Sequence, residues 1–183
     1  KMGADAVKIE GGAEVVDRVE AMVKAGIPVM GHVGLNPQRY LVLGMRVRGK
    51  TAEDGLKLYE DSKALEEAGV FSIVIEFTTA EVATEVTRSL RVPTICIGAG
   101  PYCDGQILVF HDLVGLNVNP PPFVKKYADG YEVFRSALRS YVEEVRSGVF
   151  PDEKHYFKMV PEELRKLLES VSKRRTTASE KAP

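Results

Sequence analysis

Lys8 and Glu10 stand two apart in the run Val7-Lys8-Ile9-Glu10-Gly11. On a β-strand they share one side, while Val7 and Ile9 share the other. Lys and Glu are rarely buried unless paired or liganded. Here they close an apolar strand just before a Gly11-Gly12 turn, at the end where parallel α/β folds bind ligands. A solvated strand end with a surface salt bridge is the plain alternative. The pattern recurs in residues 70–77, where Ser72, Val74 and Glu76 share one face and Ile73, Ile75 and Phe77 the other. A carboxylate in partly apolar surroundings can act as a base towards a carbon acid. The competing role for Glu76 is a cap on the helix that follows.

Three further features carry possible chemistry. His32 ends a strand between Gly31 and Gly34, which permit close backbone approach to a ligand; a hydrogen-bonded structural histidine is the alternative. Ile97-Gly98-Ala99-Gly100 offers backbone N–H groups to an anion, although glycine is common in any tight turn. His111-Asp112 reads as support behind a site, and Cys96, on an apolar strand, as a buried and inert thiol.

The elements that must position these groups alternate. Strand-like runs cover residues 4–10, 27–33, 70–77, 93–98 and 106–110, and helical periodicity fills 13–25 and 51–68, with Gly26 and Gly69 as stops. Thr78-x-x-Glu81 is a capping-box pattern opening a helix through Leu90. Alternation implies a parallel sheet. The strand ends IEGG, GHVG, IEFT and IGAG concentrate Gly, His and Glu at one edge, which favours a (β/α) barrel over a doubly wound sheet. Residues 35–50 are long for a connector and carry apolar Leu41, Val42, Leu43 and Met45, as expected of an ordered lid. Residues 117–123, with three consecutive prolines, read as an irregular connector. An amphipathic helix is expected over 131–147 and another from Pro161 to about Arg175, with 176–183 a disordered tail.

The 183 residues carry a formal net charge of -1, which gives no electrostatic reason to expect nucleic acid or an anionic membrane as partner. Two cysteines are too few for a disulfide framework and favour a reducing, cytoplasmic setting. Five strands do not close an eight-stranded barrel, so further strands upstream of Lys1 are expected.

VKIEGG, GHVGLNPQ, VIEF, IGAG and DGQILVFHDLVG occur here in the order and at the separations of the ketopantoate hydroxymethyltransferase family, which this chain resembles over residues 1 to about 157. The resemblance implies an α/β fold of the (β/α)8 TIM-barrel type, with residues 1–115 its later strands, 116–157 a connector and helix completing it, and 158–183 an extension. It implies hydroxymethyl transfer from 5,10-methylenetetrahydrofolate to the 2-oxo acid 3-methyl-2-oxobutanoate, giving 2-dehydropantoate through a Mg2+-stabilised enolate. By position, Lys8 matches a lysine contacting the oxo acid, His32 a histidine lining the same pocket, Glu10 a metal-site carboxylate and Glu76 the proton acceptor. The family's other metal-site aspartates lie on earlier strands, upstream of this sequence. Its members form homo-oligomers, rings of dimers. Two alternatives stand beside this reading. One is a non-catalytic assembly subunit of the family. The other is a Mg2+-dependent 2-oxo-acid lyase or mutase barrel, which would use a lid cysteine that residues 35–50 lack.

Overall fold

The computed structural model describes residues 3–179. Five strands, β1 (Val7–Glu10), β2 (Val29–Gly34), β3 (Ser72–Glu76), β4 (Thr94–Ile97) and β5 (Gly105–Gln106), lie side by side in chain order, each pair parallel. Helix α1 (Val16–Lys24), entered through a 3-10 turn at Ala13–Val15, joins β1 to β2. The short α2 (Tyr40–Leu43) and then α3 (Ala52–Glu67) lead to β3, and α4 (Ala80–Ser89) leads to β4. Strand order that follows chain order is the sheet of a (β/α)8 barrel; a doubly wound sheet would reverse. The chain is a run of five consecutive strands of that barrel class.

Register sorts the two faces. Ile9, Gly31, Ile73 and Thr94 lie in one row, and Glu10, His32, Val74 and Ile95 in another. The first face packs on the helices: Val29, Ile73, Ile75 and Cys96 are buried with Val19 of α1, Leu58 and Leu65 of α3, and Ala83 and Val86 of α4. Burying such an aliphatic side chain stabilises by about 1.5–3 kcal/mol. The second face holds the ionisable groups. Thr51 caps α3, its hydroxyl accepting from Asp54 N, and Gly26 and Gly69 end α1 and α3 at positive φ.

Several expectations need correction. The helix after β3 starts one residue later than the capping box implies. Thr79 is the N-cap of α4 without a side-chain hydrogen bond, and the Thr78 hydroxyl instead donates to Glu76 O at 3.0 Å. The fifth strand covers only Gly105–Gln106, because α5 (Phe110–Leu113) begins where the strand was expected to end. The Cys96 and Cys103 sulfurs are joined in a disulfide, with Cα atoms 5.8 Å apart; a return of the chain beside β4, not a sequence framework, brings them together. At the Gly98–Gly100 turn a Cβ on Gly98 would meet the Phe123 ring and one on Gly100 would meet Ala80, and a cavity of about 790 Å³ lies against both glycines, with Gln106, Phe123, Lys125 and Tyr127 in its lining. Asp112 is buried and accepts from Asn117 Nδ2 at 2.8 Å, a local tie.

Contacts divide the chain into Lys1–Asp129 and Gly130–Pro183. The second unit holds α6 (Gly130–Ser147) and α7 (Pro161–Ser179). Val133, Phe134, Leu138, Val142 and Val145 form the expected apolar stripe of α6, and all five are exposed. Helix α7 continues to Ser179, past the expected end near Arg175, since neither Gly nor Pro interrupts 176–179. The rest of the expected tail, 180–183, lies outside the described residues.

Candidate functional site

Lys8, Glu10, His32 and Glu76 meet at the carboxyl ends of β1, β2 and β3. Lys8 Nζ lies 3.3 Å from Glu10 Oε1 and 2.8 Å from His32 Nδ1. On its other side, His32 Nε2 lies 3.2 Å from Glu76 Oε2. Register explains this stair of contacts. Lys8 is paired with Met30, His32 with Glu10 on one side and Val74 on the other, and Gly34 with Glu76. Each contact therefore steps two residues up the neighbouring strand, along the diagonal that long side chains span. The middle of the stair is the most enclosed: the Lys8 side chain is 42% exposed, that of His32 1% and that of Glu76 17%. The Glu76 carboxylate is thus turned to His32, and no cap hydrogen bond from it is present at α4.

Residues that sequence patterns did not single out complete the surroundings. Gln38 N donates to Glu10 Oε2 at 3.1 Å, so the 3-10 turn Pro37–Arg39 at the start of the lid rests on the site. At the lid's far end, Arg48 N donates to Phe77 O and Thr79 N donates to Arg48 O. The Arg48 guanidinium clasps Asp54 through Nε and Nη2, and holds its carboxyl below the usual carboxylate range. Phe77, directly after Glu76, adopts a left-handed φ of 51° with its ring 5.4 Å from that of Phe123. Non-glycine residues take that conformation rarely and cluster at functional sites. Backbone contacts and a positive φ leave no trace in hydrophobic periodicity; the lid's length was the one available signal. A cavity of about 420 Å³ lies among the Gly11–Gly12 turn, the lid and α3, lined by His32, Gly34, Asn36, Arg48, Lys57 and Asp61 among others; Lys8, Glu10 and Glu76 are not in its lining. Asn36 Oδ1 is buried there without a hydrogen-bond partner.

Glu10 offers hard oxygen donors, but a divalent cation such as Mg2+ takes about six of them. No group of three or more His, Cys, Asp or Glu side chains suited to a metal forms among the described residues. These residues fit one ligand of such a site, not a complete one. The geometry equips the edge to hold an anion at Lys8 beside a carboxylate, Glu76, that faces a buried imidazole.

A sequentially ordered parallel sheet with ionisable groups gathered at its carboxyl edge is the arrangement of a (β/α)-barrel protein, a class whose ligand sites lie at that edge. The model of the family described as ketopantoate hydroxymethyltransferase matches residues 1–153, and the chain belongs to that family. The 3-methyl-2-oxobutanoate hydroxymethyltransferase of Staphylothermus marinus is 61% identical over 158 residues, 86% of this chain and 58% of that protein. Its counterpart from Pyrobaculum aerophilum is 59% identical over 157 residues, 85% of this chain and 60% of that protein. That from Ignicoccus hospitalis is 60% identical over 158 residues, 86% and 60%. The chain thus spans about three-fifths of the length of these curated relatives. No helix among the described residues is long and apolar enough to cross a membrane.

Proposed function

We propose that this protein acts as a transferase that adds a hydroxymethyl group from 5,10-methylenetetrahydrofolate to 3-methyl-2-oxobutanoate, giving 2-dehydropantoate. The observation that carries the reading is the stair of close approaches from Lys8 through His32 to Glu76 at the strand ends, in a chain of this family. Lys8 has three N–H donors. Glu10 and His32 engage two, and the third is left for the substrate carboxylate. Its partial exposure makes it the reachable cation of the set.

Glu76 is the base. The C3–H bond of the oxo acid breaks, its electron pair enters the enolate and the proton goes to the Glu76 carboxylate. Water cleaves both C–N bonds that hold the methylene to the folate, its oxygen going to that carbon and its two hydrogens to the folate nitrogens, so that tetrahydrofolate leaves. The enolate C3 then bonds to the carbon, whose oxygen takes up a proton and becomes the hydroxyl. When bound, Mg2+ supplies positive charge at the enolate oxygen, and Glu10 is the residue of this chain that would hold it. His32 lines the same pocket. The lid over residues 35–50 is tied to the strand ends, to Glu10 by Gln38 N and to Phe77 by Arg48 N. A homo-oligomer in the cytoplasm is part of this reading; the exposed stripe of α6 supports the assembly.

The test is exchange of the substrate's C3 hydrogen in deuterated water, followed by NMR without folate, in the full-length protein. Glu76→Gln keeps the size of the side chain but cannot take the proton. Exchange should fall by about 10²–10⁴-fold, the usual contribution of a general base, while the oxo acid still binds. Parent-like exchange in the variant would remove Glu76 as the base and the reading with it.

A further inference from the structure

His32 is the most enclosed member of the stair, 2% exposed, yet it is a polar ring with both nitrogens turned to ionisable neighbours. Lys8 Nζ has donors only, so at 2.8 Å Nδ1 must accept. The proton of the neutral ring is then on Nε2, facing Glu76 Oε2 at 3.2 Å. That contact lies off the hydrogen-bonding line, which leaves Nε2, among the described residues, as one of the few buried side-chain polar atoms without a bonded partner. Catalytic hydrogen bonds are often poorly aligned before substrate binds and tighten afterwards. Gly34 makes the approach possible. It is the β2 residue beside Glu76, and a Cβ on it would overlap the Glu76 carbonyl oxygen, so the missing side chain lets β2 approach the backbone that carries Glu76.

We propose that His32 is a positioning residue that links the lysine to the base: Lys8 fixes the ring's tautomer, and the ring's Nε2–H orients the Glu76 carboxylate. The inference rests on the functional reading above and assigns the histidine's part in it. Lys8 occupies Nδ1, and Glu76 is the group that the enclosed Nε2 faces. The ring's effect on the reaction passes through Glu76.

Two measurements test this in the full-length protein. The first is nitrogen NMR of histidine-labelled protein without substrate. Neutral His32 should carry its proton on Nε2, and Lys8→Met should release the preference. A proton on Nδ1 in the parent would overturn the proposal whatever the activity. The second is C3-hydrogen exchange at varied oxo-acid concentration. His32→Phe fills the site but offers neither nitrogen, and its saturated rate should fall on the order of 10²-fold, the usual cost of misplacing a reacting group by about 1 Å. Its half-saturation concentration should stay close to that of the parent. His32→Gln keeps one donor and one acceptor and should recover most of the rate. A parent-like rate in His32→Phe, a change confined to half-saturation, or no recovery in His32→Gln would each overturn the proposal. Loss of exchange in Glu76→Gln alongside a parent-like His32→Phe would reject the histidine's role alone. Parent-like exchange in Glu76→Gln would reject the functional reading itself.

Discussion

Gly34 of β2 and Glu76 of β3 are register partners so close that a Cβ on the glycine would overlap the Glu76 carbonyl oxygen and crowd the Thr78 hydroxyl. Gly34 also sits at a φ of 99°, and the next residue, Leu35, donates its N–H to that same carbonyl at 2.9 Å. The backbone that carries the candidate base is thus clamped by a residue with no side chain. Gly34→Ala should destabilise the protein by about 1–3 kcal/mol, the range for a residue forced into a sparsely populated conformation. Chemical denaturation measures this, and an unchanged midpoint would show that the strand ends can part without cost.

Glu10 accepts from Lys8 through one oxygen and from Gln38 N through the other. If it also ligates Mg2+, Glu10→Ala should weaken the metal's binding to the full-length protein by 10-fold or more, on the order of the effect of altering a ligand's support. Calorimetric titration with Mg2+ alone reads this without reference to turnover. Equal affinity in parent and variant would leave Glu10 as a tether for Lys8 and the lid.

Asp54, Asp104 and Glu66, like the exposed Asp152, are held below the usual carboxylate range in the folded chain. The Arg48 guanidinium lowers Asp54, and the Thr94 backbone N–H and hydroxyl lower Asp104. Burial alone would raise Glu66, but Lys63 and the backbone N–H groups of Arg91 and Val92 outweigh it. A carboxyl lower in the folded state than in the unfolded one stabilises fully above its unfolded value of about 4. That contribution is lost as pH falls through the folded value. Urea unfolding at a series of pH values should therefore show stability falling below about pH 4. The fall should be shallower in Asp54→Asn, whose site no longer titrates; an identical acid slope would show that the Arg48 clasp contributes nothing to it.

The Cys96–Cys103 bond closes a loop between residues seven apart. In the chain-entropy account such a loop stabilises by roughly 2–3 kcal/mol. Unfolded protein that has not met a reductant should show no reactive thiol, and reduction should lower the denaturation midpoint. Two reactive thiols before reduction would show that the pair is open, the state a reducing cytoplasm favours.

How much of this could be read along the chain depends on the physics each feature obeys. Lys8 and Glu10 share a face because side chains alternate on any strand, and Glu76 falls opposite Ile75 for the same reason. The sequence by itself determined the alternation of strand and helix, the face of each strand that meets the helices, and the edge where ionisable groups collect. It also carried the family's motifs. Tertiary structure decided who touches whom. Lys8 reaches His32, and His32 reaches Glu76, only because parallel pairing sets neighbouring strands in one register; a slip of one residue would turn His32 to the helix side. The same holds for Thr78, whose hydroxyl suits a helix cap equally well but is spent on the Glu76 carbonyl. Cys96 meets Cys103, and Gln38 meets Glu10, through the path of the chain in space, which no local propensity encodes.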